Sequence, residues 1–266
     1  MKFCTLGNLA LLAGGRDVTP TAPKQRQALA LMTLRAGQRV SMPTLIDEIW
    51  GSEPPRTATT ALQTYVGKIR RIMATATDTS VKQVAAGRLT TDGNAYVLRV
   101  ADDEWDKPRF EELTRLSRTA LEQKDPITAE LLLRQALRLW HGQPLGNVPT
   151  GRILTPYAQR FAEQHLSARI SLVDIFLQMR RVQEAVQEAR ELVTDHPYNE
   201  HVHAQLMRGL YASGRRAAAL QVYQQLRARM RDGLGISPSP TINTLHHVLL
   251  QDEPDEQFLL MAGTVS

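Results

Sequence analysis

A single cysteine, Cys4, stands in 266 residues. No disulfide can close within the chain and no companion thiol is at hand for a zinc site, the usage of a reducing cytoplasm. Long apolar runs are missing too: none approaches the ~18–20 residues of a membrane span, and Leu131 to Leu133 is soon cut by Arg134 and Gln135. That excludes the membrane class. The segment Met1 to Gly15 has one Lys before its apolar stretch and is interrupted by Gly7-Asn8, so two short strands are expected there, not a signal peptide. Catalytic signatures are absent as well. There is no GxxxxGK[ST], GxGxxG, GxSxG or HExxH, hence no phosphate cradle, nucleophile elbow or metal helix. His201-x-His203 and His246-His247 are the histidine pairs, and residues one or two apart share no helix face; they are expected at the surface or its boundary. Cys4, in an expected strand, reads as a small core side chain. No enzyme, metal or cofactor is expected, although a site assembled from scattered residues leaves no sequence constellation to find.

What is present is ordinary globular material, 42% apolar and 22% charged, enough for one or two domains with a real core. Its charge is uneven. Residues 1–100 carry 13 Lys+Arg against 6 Asp+Glu, a balance of +7, and residues 101–266 carry 19 against 21, a balance of −2. A basic module able to meet a polyanion, joined to a near-neutral one, fits this split; so does a fluctuation among solvated charges.

The local pattern favours the first reading. Phe3 to Leu6 and Leu9 to Leu12, punctuated by Gly7-Asn8 and Gly14-Gly15, predict a small antiparallel sheet. After Pro20 and Pro23 the period changes to that of a helix, with Ala28, Leu31 and Met32 inward and an end at Gly37. Ser41 then reads as the N-cap of a second helix, with Pro43 in its first turn, Leu45, Ile46, Ile49 and Trp50 apolar, and Gly51 as its stop. Past the break Gly51 to Pro55, a third helix is predicted from about Thr57 to Met73, with Ala58, Ala61, Leu62, Tyr65, Ile69, Ile72 and Met73 inward. A polar linker, Ala74 to Ser80, leads to strands Arg88–Thr91 and Tyr96–Val100 around Asp92-Gly93-Asn94, a hairpin signal.

Beyond Asp102 the pattern is uninterruptedly helical, with starts at Lys107-Pro108, Asp125-Pro126, Thr155-Pro156 and Ser239-Pro240. Ala185, Ala189 and Leu192 fall over Ala219, Tyr223 and Leu226 at a separation of 34 residues, the period of tetratricopeptide helix pairs, and Ala129, Leu133 and Ala136 repeat the offsets upstream. The predicted fold is mixed and mainly α: a winged helix-turn-helix (α+β) over 1–100, tetratricopeptide-like helices over 101–252 and a flexible tail over 253–266.

The third helix carries the chemistry. A helix fits the major groove, where amides and hydroxyls meet base edges and Arg or Lys reaches guanine or phosphate. Thr59, Thr60, Gln63, Thr64, Lys68, Arg70 and Arg71 point away from its core face, and Gly67 leaves one spot bare. Arg88, Asn94 and Arg99 would make the hairpin a wing against the minor groove or its backbone. Lys24 and Arg26 at the start of the first helix are placed to contact phosphate, and Arg56 adds to phosphate neutralisation. Each feature also has a plain reading as a solvated polar surface.

Leu45-Ile46-Asp47-Glu48-Ile49-Trp50-Gly51-Ser52-Glu53-Pro54-Pro55 and Ala61-Leu62-Gln63-Thr64-Tyr65-Val66-Gly67-Lys68-Ile69-Arg70-Arg71 resemble blocks of the Streptomyces antibiotic regulatory protein (SARP) family. Arg109 to Leu113, Ala136 to Leu145, His196 to Glu200 and Ser213-Gly214-Arg215 with Ala219, Leu220 and Tyr223 are similar to the bacterial transcriptional activation domain. The likeness runs from about Met1 to Asp252. It implies an OmpR-like winged helix before helical repeats, and an activator of secondary-metabolite genes. Such a protein binds direct repeats in double-stranded promoter DNA near the −35 element, as paired protomers or a homodimer. It recruits RNA polymerase through its sigma factor and alpha C-terminal domain. The third helix becomes the recognition helix, with Gln63, Thr64, Lys68 and Arg71 at its DNA face; Gly67 stands where the family often has Ser. Larger relatives append an ATPase domain; none is expected here, nor a receiver domain, so nucleotide or phosphorylation control is not implied. A tetratricopeptide-type interaction scaffold, whose N-terminal domain does not bind DNA specifically, is the alternative.

Overall fold

The computed structural model describes residues 1–251 and falls into two compact units: Met1–Arg115 with Gln135–His165, and Leu116–Arg134 with the chain from Leu166 onward. The tail expected over 253–266 lies outside the described residues.

In the first unit, β1 (Lys2–Cys4), β2 (Ala10–Ala13) and β3 (Arg16–Asp17) form an antiparallel sheet in that order, with Phe3 opposite Leu11. Alternation buries Phe3 and Leu11 and leaves Lys2 in water. Helix α1 (Pro23–Leu34) follows, then β4 (Val40–Ser41) and α2 (Met42–Trp50). Ser41 caps α2 as expected, its Oγ accepting from the Thr44 amide at 3.2 Å, and Gly51 stops the helix at φ +62°, a conformation that strains other residues. Helix α3 spans Ala58–Ala76, one turn past the expected end. The segment after the linker is not bare: α4 (Val81–Gly87) occupies it, held by a capping box in which Ser80 and Gln83 exchange hydrogen bonds. The Ser80-x-x-Gln83 spacing was its sequence signal. Strands β5 (Leu89–Asp92) and β6 (Ala95–Leu98) then form the expected hairpin, and β4 pairs with β6, giving the order β4-β6-β5. Gly93 alone of the two turn residues has positive φ, the pattern of a II′ turn. Helices α1 to α3 with this sheet make the winged helix-turn-helix.

Helices α5 (Asp106–Glu122), α6 (Pro126–Leu137) and α7 (Leu154–Gln178) each have residues in both units. In the second unit α8 (Val182–Asp195), α9 (Glu200–Ala212), α10 (Arg216–Leu234) and α11 (Pro240–Gln251) stack as antiparallel neighbours. All nine residues of the expected repeat are buried. The turns repeat with them: Lys124, Arg180 and Gly214 all have positive φ, and each precedes Ala129, Ala185 or Ala219 by the same step. Arg169 ties α7 to Glu188, Glu191 and Asp195 of α8.

Candidate nucleic-acid interface

Helix α3 has two faces because its sequence does. Ala58, Leu62, Val66, Ile69 and Met73, spaced by three and four, are buried. Val66 was not in the expected core set; Ala61, Tyr65 and Ile72, which were, lie at the boundary. On the far side Thr60, Gln63, Thr64, Lys68 and Arg71 are exposed in one stripe, and Thr59 is exposed at its edge. The helix contains no acidic residue, so nothing within it opposes an approaching phosphate. Gln63 and Lys68 have no side-chain hydrogen bond among the described residues, and Arg71 keeps only a long 3.4 Å contact to the Gly67 carbonyl. The Thr64 hydroxyl donates back to the Thr60 carbonyl at 2.9 Å, which leaves its lone pairs facing outward. Among the described residues, and apart from the helix's own adjoining backbone, a Cβ on Gly67 would meet nothing within 4 Å.

Arg70, next to Arg71 but about 100° around the helix, does something else. Its Nε donates to the Leu89 carbonyl and its terminal nitrogen to Thr91 Oγ1, both at 2.8 Å, and its guanidinium lies 5.8 Å from the Tyr96 ring centre. It bolts the helix to the wing. Arg88 is likewise occupied, pairing with Glu104 at 2.5 Å and lying over Phe3; the hydrogen bond from Arg88 is the main cause that holds the Glu104 carboxyl down to about 2. At the wing tip Asn94 is exposed, its carbonyl accepting from the Met42 amide at 2.9 Å. The tip also carries Arg39, paired with Asp92 at 3.3 Å. Sequence reasoning passed over Arg39: it lies far from the hairpin in the chain and reaches it only through the β4–β6 pairing. Arg99, exposed, donates to the Gly87 carbonyl at 3.1 Å.

Of the outlying cations, Lys24 is exposed with its Nζ 4.9 Å from the Trp50 ring centre, and Trp50 in turn stacks on Tyr65 of α3. Arg26 donates to the carbonyls of Asn147, Pro20 and Thr21 and is thereby engaged inside the fold. Arg56 is exposed in the wholly exposed loop 51–57.

Sequence reasoning also missed Glu48. It is 2% exposed and accepts from the amides of Gly151 at 2.6 Å, Ile153 at 2.7 Å and Leu154 at 3.0 Å, and from the Gln27 side chain at 3.1 Å. A charged residue inside the helix-turn-helix thus caps the start of α7, and no local pattern announces it. Elsewhere, His203 departs from its expected surface position: it is buried, with Nδ1 3.0 Å from the Asn199 carbonyl. Burial, followed by the Asp106 charge, pushes the Cys4 thiol up to about 11, away from nucleophilic use. Among the described residues no His, Cys, Asp and Glu group could hold a metal, and no helix is long and apolar enough to cross a membrane.

Comparison with known proteins agrees with this architecture. The family model described as "Bacterial transcriptional activator domain" matches residues 105–250, and "Transcriptional regulatory protein, C terminal" matches 15–86. The chain is 34% identical over 254 residues to the regulatory protein DnrI of Streptomyces peucetius, covering 96% of this chain and 93% of that protein. It is 33% identical over 259 residues to the regulatory protein AfsR of Streptomyces coelicolor, of which it spans 24%. A solved structure of Mycobacterium tuberculosis EmbR in complex with a low-affinity phosphopeptide superposes with a TM-score of 0.88 at 26% identity, covering 98% of this chain and 68% of that one. The chain therefore belongs to the Streptomyces antibiotic regulatory protein family of transcriptional regulators, a winged helix joined to a bacterial transcriptional activator domain.

Proposed function

We propose that this regulator activates secondary-metabolite genes in the cytoplasm by binding direct repeats near the promoter −35 element and recruiting RNA polymerase. In this reading residues 1–100 hold the DNA and residues 101–252 pair protomers or meet the sigma factor and alpha C-terminal domain. The observation that carries it is the exposed, acid-free stripe of α3, with Gln63 and Thr64 among Lys68 and Arg71 and few intramolecular partners to give up. Gln63 and Arg71 read bases; Lys24, Arg56 and Lys68 neutralise phosphate; Asn94 and Arg39 place the wing tip on the backbone. Arg70, Arg88 and Arg26 serve the interface by holding the wing and the entry to α1 in place.

Footprinting and gel shifts on promoters of the gene neighbourhood test this. Arg71→Ala and Gln63→Ala should each cost ~1–3 kcal/mol on the promoter and much less on random duplex. Equal affinity for promoter and random duplex at physiological salt would turn the choice to the scaffold reading.

A further inference from the structure

Beside the stripe, the C-terminal half of α3 closes a cleft of about 760 Å³ against the β2–β3 hairpin and the segment leading into α1, within the range of small-molecule sites. Val18, Pro20 and Ile72 give it an apolar floor, and Arg16 and Arg71 stand at its rim. Gln25 also lines it. The residue is 7% exposed, and its side-chain amide makes no hydrogen bond among the described residues. Its amide atoms remain open to the cleft, where a ligand can replace water as their partner. Asp17, the acid next to Arg16, does not line the cleft and accepts from the Thr19 amide and hydroxyl; with its charge counted, the two guanidiniums still leave the rim net positive.

We infer that this cleft binds a small organic anion with an apolar body: its flat or aliphatic part lies on Val18, Pro20 and Ile72, its carbonyl or hydroxyl meets Gln25, and its acidic group pairs with Arg16 and Arg71. Because Arg71 also belongs to the DNA stripe, ligand and promoter compete for it. This second half rests on the proposed DNA-binding reading; the site itself does not. Occupancy of the cleft then weakens the operator complex by taking Arg71, one of the two base readers of that reading, and leaves Gln63 untouched.

The test titrates anilinonaphthalene sulfonate, an aromatic body with one sulfonate, into the full chain and follows its fluorescence. Saturation at one dye per chain is expected. Arg16→Gln, at an exposed strand end where no packing is lost, should weaken binding about tenfold, the loss of one charge-assisted contact. Ala76→Trp, which fills the cleft, should abolish the saturable signal. Titrations of Arg16→Gln and Gln25→Leu that match the parent would overturn the site, whether or not Ala76→Trp folds. In a second arm, excess promoter duplex should displace the dye. Dye and duplex bound together without mutual effect would overturn the competition through Arg71. A chain that does not prefer its promoter refutes the DNA reading instead, and the Arg16→Gln titration still decides the cleft.

Discussion

Replacing Glu48 by Ala tests the least obvious feature of the first unit. The carboxylate is 2% exposed and receives three backbone amides, those of Gly151, Ile153 and Leu154, as well as the Gln27 amide. It sits at the N-terminus of α7, where unpaired amides and the helix dipole favour a negative charge. A hydrogen bond to a charged group contributes ~1.5–3 kcal/mol. Three lost together, with water entering to recover part, give a destabilisation of ~3–6 kcal/mol. Glu48→Gln keeps the shape and one acceptor and should lose about half of that. All three tryptophans, Trp50, Trp105 and Trp140, lie in this unit, so intrinsic fluorescence follows its unfolding apart from the repeats. At ~2–4 °C per kcal/mol, the Ala variant should melt on the order of 10 °C lower. A second, steric route leads to the same contact: a Cβ on Gly151 would stand 2.3 Å from the Glu48 carbonyl oxygen, so Gly151→Ala should lower the same transition. If Glu48→Ala melts within about 2 °C of the parent, the carboxylate does not hold the start of α7 and the argument fails.

Gly67→Ala should raise the melting temperature, since α3 gains ~0.5–1 kcal/mol of helix propensity and the new methyl meets nothing; a fall would mean that the bare position is occupied. Arg70→Lys should destabilise by ~1–2 kcal/mol, because an ammonium cannot span the Leu89 carbonyl and Thr91 hydroxyl as the guanidinium fork does. Urea unfolding measures it, and an unchanged midpoint would remove the bolt between helix and wing. Glu104 is held down to about 2 in the folded chain, so its contribution is present above the ordinary carboxylate value of ~4.3 and is lost as pH falls through about 2. Glu104→Gln should therefore be the less stable protein at neutral pH and should converge with the parent toward pH 2; a gap that persists there contradicts the Arg88 pairing.

What was legible in the chain was whatever depends on neighbours in sequence. The α2 cap at Ser41, the Gly93 turn and the triplets of the repeats are fixed by spacings of one to seven residues and stand where the pattern put them; the buried stripe of α3 does so in part, with Val66 joining it and Ala61, Tyr65 and Ile72 falling at its edge. Strand β4 was not legible because two residues carry no period, and its pairing with β6 is made by chain more than fifty residues away. Glu48 was missed for a related reason: it reads as a polar position on an amphipathic helix until Gly151 to Leu154 arrive to use it. Arg70 and Arg71 show the limit most sharply. Adjacent and identical, they were both assigned to DNA by type, and only the position of β5 distinguishes a bolt from a free cation.

That distinction has a consequence for salt. Apart from Arg39 and Arg99 of the wing, which already hold Asp92 and the Gly87 carbonyl, seven of the assigned residues are cationic: Lys24, Arg26, Arg56, Lys68, Arg70, Arg71 and Arg88. If each neutralised one phosphate, the slope of log K against log salt would be about −6 per protomer, at ~0.9 per contact. Arg26, Arg70 and Arg88 already hold carbonyl, hydroxyl or carboxylate oxygens, and breaking a formed charge-assisted contact to gain another returns little. Of the four that remain, Arg71 reads a base, so Lys24, Arg56 and Lys68 neutralise phosphate and the expected slope is about −2.7 per protomer. Lys68→Ala should reduce it by about one and Arg88→Ala should leave it nearly unchanged. A parent slope near −6, or an equal effect of the two substitutions, would mean that the internal partners open when DNA binds, and that the intramolecular ties seen here belong to the unbound state alone.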